Sequence, residues 1–375
     1  MNANPASRYV IYIAIELSAS TWLVALQRPM LKKVKFRHLE AGDTKGLLAL
    51  ISEERSLAAV EAGVEAELVS CFEAGRDGFW LHRLLLTHGV KNHVVEPTSI
   101  LVTRAARRAK TDRLDAQGLL RVLAAAFTGD HDACRIVSVP TVEEEDAKRP
   151  HREREHLVQE RVRIENRIAA LLATQGISKR PSLRSWEVDL EAMRSGDGRP
   201  IPPLLKAELS RLRRRLSMTL ELIREVETER ELELERQEDA GGQMAKALSK
   251  LRGIGQNFAA VLAREVCYRS FGNRRQIASY LGLAPTPFQS GGIDRDRRIN
   301  RAGNGRARKT LIQLAWLWLR YQPDSSLTKW FRERVGSLQG RTRRIAIVAM
   351  ARKLLIAVWR FATAGVVPEG ATVAA

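Results

Sequence analysis

The chain is poor in cysteine and in aromatic residues and has no long apolar run, and these shortages close off whole classes of protein. Its three cysteines, Cys71, Cys134 and Cys267, stand far apart with no Cys-x-x-Cys pair, and the seven histidines show no zinc spacing beside them. Neither a disulfide framework nor a zinc site is expected. The apolar stretches Tyr9 to Ile15, Leu314 to Leu319 and Ile345 to Met350 are far shorter than the roughly 20 residues of a membrane span, so no membrane association is expected. The opening segment MNANPASRYV lacks the basic, apolar and small-residue regions of a secretory signal, and a cytoplasmic location is expected.

Acidic charge is also scarce, but unevenly. Sixty-two Lys and Arg stand against 43 Asp and Glu, a net charge of +19 over 375 residues. A field of that sign attracts polyanions, with release of their counterions, so nucleic acid is the first partner to consider. From Gly241 to Ala375 the count is 24 basic against 6 acidic residues, which nearly accounts for the whole excess. From Thr141 to Ala240 it is 20 basic against 22 acidic, the mixed pattern of a solvated helical spacer. The length allows two compact domains and an extended element.

The periodicity divides the chain into three parts. RYVIYIAIEL, STWLVALQ and KKVKFRHLE are short β-branched and aromatic runs separated by polar residues, which predicts a three-strand meander. A helix over Asp43 to Ala62, a strand over Ala66 to Phe72, a helix over Gly78 to His88, a short strand at His93 to Val95 and a helix over Asp112 to Ala126 follow. That order is ribonuclease-H-like (RuvC-like), an α/β layer fold for residues 1–140. Residues 141–240 read as a helical hairpin or coiled-coil arm. Leu157, Ile164, Ile168 and Leu171 are spaced as in a seam, Leu209, Leu212, Leu216, Leu220 and Ile223 form the return, and Gly and Pro between 176 and 203 break the helix. Residues 241–375 read as mainly helical, with a helix-hairpin-helix in LSKLRGIGQNFAAVLAREV, where Gly253 and Gly255 let backbone N–H groups meet a DNA phosphate.

Four acids carry the candidate chemistry: Glu16 on the first strand, Glu73 at the end of the fourth, and Asp112 with Asp115 on one helical face. Each alone is ordinarily a solvated or capping residue. Together in such a fold they can hold two Mg²⁺ ions that clamp the attacking and leaving oxygens of a phosphodiester. Arg104, Arg107, Arg108, Lys110 and Arg113 crowd the same segment and suit a phosphate backbone. In the C-terminal part, Ser290 precedes two glycines in what reads as a loop, followed by Arg295, Arg297, Arg298, Arg301, Arg306 and Arg308. No histidine lies in that part to act as base, so a nucleophilic Ser290 would need activation by metal or arginine; Ser-Gly-Gly alone is ordinarily a turn.

Taken together, IAIELSAS, CFEAGRDGFWLHRLL, RRAKTDRLDAQGLL, LRGIGQNFAAVLAREV, YLGLAPTPFQSGG and NRAGNGRARKTL resemble, in order and spacing, one family. It comprises the insertion-sequence transposases with an Asp-Glu-Asp-Asp RuvC-like domain and a C-terminal serine domain, the bridge-RNA-guided recombinases. The resemblance spans nearly the whole chain and is most specific in KTDRLDA and GLAPTPFQSGG. It implies a DNA transposase built from dimers, in which Ser290 attacks DNA to form a phosphoserine link. Glu73, Asp112, Asp115 and the first-strand acid would bind Mg²⁺ in a site composed from both domains. It further implies a noncoding RNA that pairs with element-end and target DNA, leaving sequence choice to the RNA. The family has Asp on the first strand where this chain has Glu16. Two other readings are a Holliday-junction-resolvase-like nuclease that uses water, and an inactive nucleic-acid-binding remnant.

Overall fold

The computed structural model describes residues 9–100, 111–130, 132–236, 239–290, 292–337 and 339–373. The chain divides between Val139 and Pro140 into two compact units. In the first, β1 (Val10–Leu17), β2 (Thr21–Gln27) and β3 (Lys35–Glu40) are followed by α1 (Thr44–Ala62), β4 (Glu67–Glu73), α2 (Trp80–Thr87), β5 (Lys91–Val95) and α3 (Asp112–Phe127). The sheet order is β3-β2-β1-β4-β5. The meander is antiparallel, whereas β4 joins β1 and β5 joins β4 in parallel. A mixed sheet with helices between its parallel strands is consistent with the ribonuclease-H-like expectation.

Alternation along the strands decides what covers each face. Ile11, Ile13 and Ile15 of β1, with Leu68 and Phe72 of β4, pack against Leu47 and Ile51 of α1 and Leu81 and Leu85 of α2. The intervening residues, Val10 and Ala14 of β1 with Val69 and Cys71 of β4, pack against Ala116, Leu119, Leu120 and Leu123 of α3. The small residues Ala14 and Ala25 let the helix approach the sheet closely. Asp43 and Thr111 cap α1 and α3 through their side chains, which accept backbone N–H groups that the first turns leave unpaired.

The second unit opens with α4 (Val142–Asp146), α5 (Arg149–Ala173), α6 (Trp186–Ala192) and α7 (Pro203–Arg236). Arg154 pairs with Glu227 and Arg167 with Glu208, so α5 and α7 run antiparallel. Ile164, Ile168 and Leu172 meet Leu209, Leu212 and Leu216, and Trp186 and Leu190 of α6 close the far end. Nearer the root, Leu157 meets Ile223 and Val226. Shortening any one of these buried leucines to alanine removes about 2–5 kcal/mol.

The remainder comprises α8 (Ala240–Ser249), α9 (Gln256–Leu262), a π-helical turn over Ala263–Cys267, α10 (Arg274–Tyr280), β6 (Pro285–Ser290), β7 (Ile293–Ile299), α11 (Gly305–Tyr321), α12 (Ser326–Val335) and α13 (Arg341–Ala364). Leu311, Leu314 and Trp318 of α11 and Met350, Leu354 and Val358 of α13 lie at the centre of its core. One expectation is corrected. The segment around Ser290 is an antiparallel β-hairpin rather than a loop, with Ser290 opposite Ile293 at its tip. Among the described residues no helix is long and apolar enough to cross a membrane.

Candidate active site

The four candidate carboxylates all belong to the first unit. Ile15 pairs with Phe72, so Glu16 and Glu73 occupy the next positions on neighbouring parallel strands. By alternation both share the sheet face of Ala14 and Cys71, the face that α3 covers. The direction of α3 follows from two contacts. Phe127 near its end lies edge-on to Tyr12, with ring centroids 5.9 Å apart, and the carbonyl of Leu119 accepts from the Cys71 thiol at 3.7 Å. The helix therefore runs against β1 and β4, and its first turn, with Asp112 and Asp115, lies toward the strand ends that carry Glu16 and Glu73.

Glu16, Glu73 and Asp115 are half-buried and Asp112 is exposed. Among the described residues no three His, Cys, Asp or Glu side chains close to metal-holding geometry. The fold thus brings four hard oxygen donors to one end of one face without drawing them into a shell. That donor chemistry fits a divalent cation such as Mg²⁺, which takes carboxylate and water oxygens. Arg113 stacks over Phe36 of β3 at 4.5 Å. Arg104, Arg107, Arg108 and Lys110 lie outside the described residues.

The other candidates belong to the second unit. Ser290 ends β6; its side chain and those of Arg295 and Arg297 lie outside the described residues. Arg298 is exposed. The base of the hairpin is tightly crossed. An added methyl on Gly282 would lie 2.0 Å from the Ala302 carbonyl oxygen, and one on Gly303 would lie 2.1 Å from that of Tyr280. Arg301 between them is left-handed at φ 60°, a conformation uncommon outside glycine. Arg308 holds this crossing, donating through Nη1 to the carbonyls of Leu281 at 2.9 Å and Arg301 at 3.0 Å. Arg306 pairs with Glu155 of α5 and, at 3.4 Å, with Glu265. These two arginines are therefore occupied within the protein. Gly253, at φ 91°, turns the chain between α8 and α9, and Gly255 is the residue before α9.

Sequence reasoning missed Glu265, which sits in the π-helical turn with only 3% of its surface exposed. Arg152 of α5 donates to both its oxygens, at 2.7 and 3.0 Å, His151 Nε2 lies 3.0 Å away, and Asn304 Nδ2 donates at 3.1 Å. Asn304 also caps α11 through Ala307 N, and the Tyr280 hydroxyl donates to the Glu265 carbonyl. One carboxylate thus ties the root of the arm to the exit of the Ser290 hairpin. Its partners come from 114 positions before it and 39 after it, and local periodicity carries no sign of them.

Burial alone would raise the acid's pKa, but the hydrogen bonds from His151 and Arg152 outweigh it and hold the carboxyl well below its usual range. Burial pushes His151 the other way, so its neutral form is favoured. Both groups have folded pKa values below their unfolded ones. Each contribution is present above the unfolded pKa, about 6.5 for His and about 4.3 for Glu, and is lost as pH falls from that value through the lower folded one. Thermal melts should show the second unit losing stability as pH falls below about 6.5, and Glu265→Gln should remove the part of that loss that lies below about pH 4.3. Glu265→Ala, which leaves Arg152 and His151 facing an empty site, should cost about 3–5 kcal/mol in urea denaturation.

Comparison with known proteins places these features in one family. Residues 18–175 match a model of DEDD-type IS110 transposases, described as "Transposase", and residues 245–329 match "Transposase IS116/IS110/IS902 family". The first span includes Glu73, Asp112 and Asp115, the second includes Ser290 and the Gly253 turn, and Glu16 falls two residues before the first. Protein y4rJ of Sinorhizobium fredii, which carries a transposase name, is 45% identical over 371 residues, 96% of this chain and 94% of its own. The transposase for insertion sequence element IS1328 of Yersinia enterocolitica is 27% identical, over 69% of this chain and 73% of its own. That for IS1111A of Coxiella burnetii is 25% identical, over 75% and 74%. The chain belongs to the IS110 family of insertion-sequence transposases.

Proposed function

We propose that this protein cuts and rejoins insertion-element DNA through Ser290, with Glu16, Glu73, Asp112 and Asp115 holding two Mg²⁺ ions. The observation that carries the reading is the convergence of four carboxylates on one end of one sheet face, in a chain of a DNA-acting family. Bound there, the ions would lower the charge of a phosphodiester and orient its oxygens. Glu16 and Glu73 would supply ligands from rigid strands, and Asp112 and Asp115 from a helix start fixed by the Thr111 cap. Glu16 must fold back further than an aspartate to reach the same ion.

Attack by the Ser290 hydroxyl exchanges one phosphoester for another. The proton lost by serine balances the one taken up by the departing sugar oxygen, and the phosphoserine keeps the bond energy for rejoining. With no histidine from Gly241 to Ala375 to act as base, activation of the hydroxyl would fall to a bound cation or to an arginine that stabilises the developing alkoxide, with the proton leaving to water. The Gly253 and Gly255 turn, together with Arg298 and Arg301, would hold DNA phosphates as a helix-hairpin-helix and hairpin edge do. The family resemblance adds a noncoding guide RNA and assembly from dimers.

The test is a denaturing gel of purified protein with its neighbouring noncoding RNA, labelled element-end DNA and Mg²⁺. A protein-linked DNA band whose digest contains phosphoserine at Ser290 is the expected result. Cleaved DNA with no linked band would replace this reading with a water-using nuclease of resolvase type. Tight DNA binding with neither product would leave an inactive nucleic-acid-binding protein.

A further inference from the structure

Residues 305–364, which span α11 to α13, contain 13 Lys and Arg and only two acids, Asp324 and Glu333. Some of these cations are engaged in the fold: Arg306 and Lys309 with Glu155, Arg308 with backbone carbonyls, and Arg332 with that of Pro323. Arg320, Arg341, Arg343 and Arg344 have no carboxylate partner among the described residues.

Two features of this surface oppose the stability of the protein itself. Arg341, Arg343 and Arg344 crowd the first turn of α13, which follows a Gly340 without a side-chain cap. That end of a helix carries partial positive charge and favours acids. All five residues from Arg341 to Ile345 are exposed, Ile345 by 59%. Secondly, Trp316 on α11 is 37% exposed. Gln313, Trp316 and Arg320 line one exposed face at helical spacing, while Leu311, Leu314 and Trp318 line the buried one. The indole stands edge-on to Phe331 of α12, with centroids 6.3 Å apart, and the Arg343 guanidinium covers it at 5.1 Å. An exposed indole covered by one guanidinium, one helical turn from Arg320 and joined through Arg343 to the arginine-rich first turn of α13, matches a ligand with a planar base and flanking phosphates.

We propose that Trp316, with Arg320, Arg341, Arg343 and Arg344, forms a docking site for unpaired DNA. One base stacks on the indole in place of Arg343, which turns to a phosphate, and neighbouring phosphates meet the other three arginines. A duplex keeps its base faces stacked internally and can use only the arginines, so the indole selects a single strand. The site rests on the family's action on DNA, where cutting and exchange leave strands unpaired, and is independent of Ser290 chemistry.

The experiment uses the full chain in chelator-containing buffer, so no cleavage occurs and failure of the phosphoserine reading leaves the outcome unaffected. Fluorescence anisotropy follows labelled oligothymidylate, oligouridylate and a mixed-sequence duplex. Trp316→Leu, which retains apolar packing on Phe331, should weaken the thymidylate about 10–100-fold and the duplex less than about threefold. Trp316→Phe should recover most of the loss. Arg341→Gln with Arg344→Gln, on exposed positions that leave the fold intact, should weaken both DNAs and lower the salt slope by about two. Unchanged thymidylate binding in Trp316→Leu, equal loss on the duplex, or tighter wild-type binding to oligouridylate than to thymidylate overturns the proposal. Should Trp316→Leu melt below the parent, an unchanged salt slope in the double arginine variant overturns it equally.

Discussion

Ser290→Ala is expected to abolish the covalent protein–DNA adduct and strand exchange while leaving DNA binding within about twofold of the parent. Removing a nucleophile takes away the group whose oxygen forms the new bond, and losses of about 10⁴-fold or more follow in enzymes that use one. Ser290 stands opposite Ile293 at the tip of a short hairpin, and serine to alanine removes one oxygen, so the melting temperature should not move. Ser290→Cys is the informative companion: a thiol can attack phosphorus poorly, so a faint adduct would mark the position as the attacking one. Cleavage at parental rate in Ser290→Ala would remove the serine from the mechanism and leave the carboxylates with water.

The second large effect concerns those carboxylates. Asp115→Ala and Glu73→Gln should each lower Mg²⁺-dependent cleavage by at least about a thousandfold, since a lost ligand forfeits several kcal/mol of charge stabilisation in the transition state. Glu16→Ala should do the same, whereas Glu16→Asp should retain or raise the rate by shortening the reach to the ion. A calorimetric titration with Mg²⁺ separates ligand loss from loss of chemistry, because only ligand loss weakens binding. An unchanged rate in Glu16→Ala would dismiss that residue as a ligand.

The first unit was readable because its strands alternate cleanly. Ile11, Ile13 and Ile15 mark one face and Val10 and Ala14 the other, and Thr111 followed by a periodic apolar run marks the start of α3. The same alternation carries Glu16 and Glu73 to the face that α3 covers, so most of the carboxylate placement is implicit in the sequence once the strand order is known. The hairpin was not legible. PTPFQS contains two prolines and IDRDRRI five charges, both poor in the residues that ordinarily mark strands, and the pairing shifts register between Pro285 and Pro287. Arg306 and Arg308 read as phosphate ligands because charge pattern does not reveal that Glu155, 151 positions earlier, and the Leu281 carbonyl already hold them. Glu265 was invisible for the same reason: a single acid in an apolar helix gives no hint of partners supplied by chain folding.

The anchorage of α5 at Glu265 makes the arm a lever with a short and a long side. α5 spans 25 residues, about 37 Å of helix, so a tilt of about 5° at the root carries its far end through about 3 Å. The converse holds with the same gearing. A partner that displaces the tip by several ångströms applies a fraction of an ångström to Arg152 and His151, and through one carboxylate to Asn304 at the hairpin's exit. The arm's root and the residue from which the hairpin leaves thus share one anchor, the Glu265 carboxylate.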